Sequence, residues 1–140
     1  RAEARLEGPD AAQRNTGSKS LRILCAEDNP YARVVLNTIL IELGHRIDFA
    51  GTGEDAVAAV DGGGYDLVLM DVTLPVMDGL AATRAIRALR GHAATVPVIG
   101  ISGRTGASDE QAAIAAGMNA FLMKPVSPAM LAQTLARLVR

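Results

Sequence analysis

This chain is poor in the residues that build disulfides, metal-thiolate centres and membrane spans. It has one cysteine and two histidines. Cys25 has no partner for an internal disulfide, and it lies in an apolar run where a small buried hydrophobe is expected. That usage fits a reducing compartment. No Cys/His set has zinc-ligand spacing. His45 follows Gly44 in a connector and His92 precedes Val96 in a loop, so both are expected as plain surface residues. Charge of either sign is not in surplus, with 14 Lys and Arg against 15 Asp and Glu. Without a basic stripe, direct contact with nucleic acid is not expected. No apolar run reaches membrane-spanning length and no signal peptide is visible, so no membrane contact by this domain is expected. A cytoplasmic location follows as an expectation, although a longer parent could be membrane-anchored. The first residue is Arg rather than Met, so the chain reads as a piece of a longer protein.

Glycine-rich phosphate loops are missing too. Gly51-Thr52-Gly53 lacks a third glycine, and no Walker-type lysine is present. The first strand turn, Glu27-Asp28-Asn29-Pro30, is acidic where a nucleotide site needs glycines.

What is present is an apolar fraction of 49% in 140 residues, enough for one folded domain with a sizeable core. Residues 1–20 stand apart. Gly8-Pro9 breaks a short charged start, and Gln13 to Ser20 is polar with no apolar period. This stretch is expected to be a linker or tail, with the folded unit at 21–140.

Within that unit strand and helix signals alternate five times. Asn29 with Pro30 suits a helix start, and Val35, Leu36, Ile39, Leu40 and Leu43 follow at helical spacing up to Gly44. Ile47 and Phe49 alternate with Arg46 and Asp48, which marks a half-buried edge strand. Thr52 to Asp55 resembles a capping box, and Asp61-Gly62-Gly63-Gly64 ends that helix. The continuous apolar runs 67–70 and 96–101 belong at a sheet centre. Helices are expected near 78–90, after a Ser108 cap, and after Ser127-Pro128. Such alternation predicts an α/β fold with a parallel sheet and helices on both faces.

Four polar landmarks each follow one of the apolar runs: Glu27-Asp28, Asp71, Ser102 and Lys124-Pro125. On parallel strands they share one sheet edge. In such sheets function gathers beyond the carboxyl ends of the strands, near the reversal of strand order. Three carboxylates crowded together repel unless a cation sits among them, and hard divalent cations prefer oxygen ligands. A lysine there would face an anion arriving with the metal. A Mg2+-dependent phosphoryl site is the economical reading.

These pieces carry a resemblance. Glu27-Asp28-Asn29, Met70-Asp71 through Asp78-Gly79, Ile99 to Gly103 and Met123-Lys124-Pro125 stand in the order and at the spacings of a response regulator receiver domain. The resemblance implies a flavodoxin-like doubly wound (βα)5 fold with strand order 2-1-3-4-5. It implies that Asp71 is the phosphoacceptor, attacking a phosphohistidine. Mg2+ would be held by Asp28 and Asp71 directly, by Glu27 through a water and by the backbone carbonyl of Thr73. Lys124 and Ser102 would meet phosphoryl oxygens, Phe121 would be an aromatic switch, and Pro125 would follow a cis peptide bond. Thr73 and Arg104 flank the site, where such positions tune phosphoryl lifetime.

Implied partners are a histidine kinase or histidine phosphotransfer protein, with a homodimer through the last two helices as a further possibility. The linker and the phrases around Asn29-Pro30 and Leu43-Gly44-His45-Arg46 resemble the C-terminal receivers of hybrid sensor kinases. A stand-alone single-domain regulator is the nearest rival. From another class, a Mg2+-dependent phosphohydrolase with an aspartate nucleophile would usually carry a second aspartate two residues on, where Thr73 stands. A degenerate receiver serving as a scaffold is a third reading, which the intact polar set disfavours. Whether the chain counts as an enzyme is left open: a receiver assists its own phosphorylation, while a parent chain could be a kinase.

Overall fold

The computed structural model describes residues 20–103 and 107–139, the side chains of 107 and 108 excepted. The expectations for residues 1–19, Arg104 and the Ser108 cap fall outside them. Five strands, β1 (Arg22–Ala26), β2 (Arg46–Ala50), β3 (Leu67–Asp71), β4 (Val98–Ser102) and β5 (Ala120–Met123), alternate with five helices. These are α1 (Pro30–Glu42), α2 (Gly53–Asp61), α3 (Gly79–Arg87), α4 (Ala107–Ala116) and α5 (Pro128–Leu138), with a 3-10 turn at Gly91–Thr95. The strands form one parallel sheet in the order β2-β1-β3-β4-β5.

The two-residue period of a strand decides which layer each side chain enters. Ile23, Cys25, Leu67, Leu69, Ile99 and Ile101 pack with Leu36, Leu40, Leu131 and Leu135 of α1 and α5. Leu24, Val68, Met70 and Val98 pack with Ala56, Val60, Ala82, Ile86 and Ala113 of α2, α3 and α4. Both faces of β3 and β4 are therefore covered, and every residue of each is buried. That double burial explains their unbroken apolar runs. Edge strand β2 keeps Arg46 and Asp48 exposed.

Three of the caps read from sequence are formed among the described residues. Asn29 Oδ1 accepts from the Tyr31 and Ala32 amides, Thr52 Oγ1 from Asp55, and Ser127 Oγ from Met130. Gly44 and Gly117 leave their helices at φ of 92° and 111°, a conformation that costs glycine little. Three expectations need correction. Val35 faces solvent rather than the core. Helix α3 stops at Arg87, and Leu89 packs on the core from the turn beyond it. His45 is buried, with 7% of its surface exposed, because its Nδ1 accepts a hydrogen bond from the Leu21 amide at 3.0 Å.

Arg87 is a structural residue that local patterns did not flag. Its guanidinium donates to the carbonyls of Gly117, Ala94 and Val96 and to Asn119 Oδ1, at 2.8 to 3.0 Å. Those groups precede β4 and β5, so Arg87 ties down the sheet end away from the carboxylates.

Candidate phosphoryl and metal site

Strand order reverses between β1 and β3, because β1 is followed in the chain by β2 on one side while β3 lies on the other. The crevice outside the carboxyl ends of those two strands is where open α/β sheets bind ligands. Glu27 and Asp28 leave β1 there, and Asp71 ends β3. One oxygen from each of the three carboxylates lies within 4.8 Å of the others.

Glu27 is almost wholly enclosed, at 1% exposure. Its Oε2 accepts from the Asn29 amide at 3.0 Å, its amide donates to the Ala50 carbonyl, and its carbonyl accepts from Arg33 Nε at 2.6 Å. Oε1 lies 2.8 Å from Lys124 Nζ but is not engaged by a directed hydrogen bond. A buried carboxylate oxygen held only by charge has coordination to spare, which suits a metal or its bound water. Asp71 is also buried; its Oδ1 accepts from the Thr73 amide at 2.9 Å and its Oδ2 from Lys124 Nζ at 2.8 Å. Asp28 is exposed, so it is the carboxylate that solvent reaches first. The set is all oxygen, hard and anionic, and could hold a divalent ion.

Lys124 reaches this cluster from the end of β5, through a Lys124-Pro125 peptide that is cis. Its ammonium bridges Glu27 and Asp71. Burial opposes charging Lys124, but the hydrogen bond to Asp71 and the ionic contact with Glu27 outweigh it and hold the ammonium above its ordinary value. Burial raises Glu27 above the ordinary carboxylate value, and the Lys124 and Asn29 contacts only partly offset this. Cys25, beneath the site, is a buried thiol pushed strongly upward by desolvation and so kept unreactive.

Ser102 is buried at the end of β4, and its carbonyl accepts from the Lys124 amide at 2.8 Å. Phe121 lies opposite Gly100 in the β4–β5 register, half-buried on the α4 side of the sheet. A Cβ at Gly100 would collide with Met118 Sδ and press on the Phe121 ring. The expected residues Glu27, Asp28, Asp71, Thr73, Ser102 and Lys124 thus gather at one sheet edge, with Phe121 one strand step behind. Sequence reasoning missed Arg33 and Val76. Val76 sits five residues past Asp71 at φ 70°, in a turn closed by the Met77 amide on the Pro75 carbonyl. A β-branched residue there is strained, and Val76 is 79% exposed.

A five-stranded doubly wound sheet with an acidic trio and a lysine at its switch point defines a receiver-type domain. The match to the response regulator receiver domain runs over residues 23–136, and the chain belongs to that family. It is a receiver domain of two-component signalling. It is 34% identical over 139 residues to the sensor protein GacS of Pseudomonas syringae pv. syringae, covering 95% of this chain and 15% of that protein. It is 39% identical over 105 residues to the transcriptional regulatory protein TcrA of Mycobacterium tuberculosis, covering 75% and 40%. Among solved structures, the receiver domain of a sensor histidine kinase from Pseudomonas aeruginosa PAO1 superposes with a TM-score of 0.79 at 38% identity, covering 86% of this chain and 98% of that one. That structure has a magnesium ion coordinated in its active site cleft. No described helix is long and apolar enough to cross a membrane.

Proposed function

We propose that this domain accepts a phosphoryl group from a phosphohistidine onto Asp71, with Mg2+ as cofactor, and changes its surface in response. The observation that carries the reading is the buried pair Glu27 and Asp71 sharing one lysine, with Glu27 Oε1 lacking a hydrogen bond and Asp28 open to solvent. Mg2+ would be held by Asp28, Asp71, the Thr73 carbonyl and, through water, Glu27, and when bound would neutralise charge on the phosphoryl oxygens. An Asp71 carboxylate oxygen attacks phosphorus as the P–N bond breaks, and imidazole leaves. The Thr73 amide on Oδ1 and Lys124 on Oδ2 orient the attacking carboxylate. Lys124 then transfers its contact to a phosphoryl oxygen, and Ser102 donates to another. Pulling on Ser102 and Lys124 draws in the ends of β4 and β5, and Phe121 moves with them.

The donor would be a histidine kinase or a histidine phosphotransfer protein. Tyr31, Val34 and Ile41 form an exposed apolar stripe on α1, beside the acidic turn, with Tyr31 84% exposed. A helical partner carrying the phosphohistidine would cover it. We read the parent as a hybrid sensor kinase and this domain as a cytoplasmic portion of it, with residues 1–20 as linker; the match to GacS runs over 95% of the chain and that to TcrA over 75%, which favours this reading. Exposed Met130 borders a groove of about 470 Å³ lined by Phe121 and Met123, and exposed Ile114 borders a second of about 380 Å³ at the same α4–α5 face, which is where a homodimer would form.

The test is mass spectrometry after incubation with Mg2+ and a small phosphodonor such as acetyl phosphate. A single added phosphoryl group is expected, absent in Asp71→Asn, whose fold should be unchanged because the substitution is nearly isosteric. Normal phosphorylation of that variant at the same site would remove Asp71 from its role, and rapid multiple-turnover phosphate release would make the domain a hydrolase.

A further inference from the structure

Arg33 lies in the second turn of α1, where its amide closes the first helical hydrogen bond on the Asn29 carbonyl. Its side chain turns back toward β1. Nε donates to the Glu27 carbonyl at 2.6 Å, the guanidinium lies 5.2 Å from the Phe49 ring centre, and Nη2 is so near Gly51 that a Cβ there would approach to 3.3 Å. One planar group thus spans the β1–α1 turn, the β2 ring and the β2–α2 turn.

The carbonyl it holds belongs to the Glu27–Asp28 peptide. The Glu27 amide and Oε2 are also engaged, by Ala50 and Asn29, while Oε1 is in ionic contact with Lys124. Asp28 is exposed, so the fixed peptide before it and the Asn29 cap after it determine where its carboxylate lies. We infer that Arg33 is a positioning residue for the metal site: it pins the Glu27–Asp28 peptide so that the exposed Asp28 carboxylate is preset against Asp71. The inference rests on the metal reading above. Its sign is unusual, because a cation this close to a metal site should by charge alone repel Mg2+. Arg33 engages the Glu27 main-chain carbonyl and makes no bond to a carboxylate of the site, so geometry should outweigh repulsion.

The experiment is a Mg2+ titration of the whole chain without phosphodonor, followed by the backbone amide shifts of residues 27–29 well below the melting temperature. Arg33→Met keeps most of the stem and removes the donors. Losing an outer contact of a metal ligand typically weakens binding about tenfold or more, and a weakening of roughly that size is expected here. Arg33→Lys should lie between Met and wild type, since an ammonium can reach the carbonyl but cannot lie flat on Phe49. Unchanged or tighter binding in Arg33→Met overturns the inference, tighter binding being the mark of charge alone. A general loss of stability would lower the melting temperature without moving the affinity of the folded protein. Should Arg33→Met not fold, Arg33→Lys decides: weaker binding supports positioning, and wild-type affinity overturns it. Asp28→Ala is the control for the underlying reading. If it binds Mg2+ as wild type does, the metal reading fails; if it loses Mg2+ while Arg33→Met does not, only the role of Arg33 fails.

Discussion

Replacing Lys124 by Met removes the one ammonium that bridges Glu27 and Asp71 while keeping the stem's bulk. Each contact is 2.8 Å long, and the lysine side chain is 29% exposed. Breaking a buried ion pair from one side costs about 3–5 kcal/mol, but partial exposure screens this one. A second bound comes from proton uptake. The cluster can always relieve itself by protonating Glu27, whose ordinary value is 4.5. At about 1.36 kcal/mol per pH unit, that escape costs roughly 3.4 kcal/mol at pH 7 and about 0.7 kcal/mol at pH 5. Lys124→Met should therefore lose about 2–3 kcal/mol at pH 7, or roughly 10 °C in melting temperature, and under about 1 kcal/mol at pH 5.

The sign follows from linkage. A carboxylate with a raised folded value contributes stability below its unfolded value and loses it as pH rises through the folded one. The variant should thus fall further behind wild type as pH rises from 4.5 toward 7. Mg2+ at about one hundred times its dissociation constant adds some 2.7 kcal/mol to whichever protein binds it, and should bring the variant at pH 7 close to Mg2+-free wild type. Urea unfolding at pH 5 and pH 7, with and without Mg2+, measures all three quantities. A loss equal at both pH values would mean that the lysine acts by packing, and the charge argument would be refuted.

His45 should make the fold acid-sensitive: burial lowers its value from 6.5, so its stability is present above 6.5 and lost as pH falls through the folded value. His45→Asn, which keeps an acceptor for the Leu21 amide, should flatten the melting temperature below pH 6.5, and an unaltered slope would assign the sensitivity elsewhere; Glu27 acts in the opposite direction nearer its ordinary 4.5. Val76→Asn should stabilise by about 1 kcal/mol, because Asn tolerates φ of 70° better than a β-branched residue. A melting temperature at or below that of wild type would show that the turn is not under strain.

The parts legible in sequence were those fixed by neighbours along the chain. Asn29-Pro30 and Ser127-Pro128 announced helix starts because a cap acts within three residues. The unbroken runs of β3 and β4 betrayed burial on both faces, and the residues following them named the site. Contacts across the fold left no local trace. His45 looked like a connector residue because its partner, Leu21, is 24 positions away. Arg87 carries no local signal, because the Gly117 carbonyl it holds is 30 positions on. Arg33 lay close enough, six positions from Glu27, but a side chain bonding backward to a strand carbonyl has no sequence signature. The strain at Val76 was hidden because glycine or asparagine is the usual flag for positive φ.

Arg87 gives the switch a mechanical character. By grasping the segments that lead into β4 and β5, it makes those strands beams clamped at one end. Ser102 and Lys124 are at the opposite ends. A pull applied there bends the beams about the clamp, so displacement should grow along each strand toward the carboxylates and fade toward Asn119. On the proposed phosphoacceptor reading, a force generated by one small anion would then be delivered to the α4–α5 face and not to the base of the sheet.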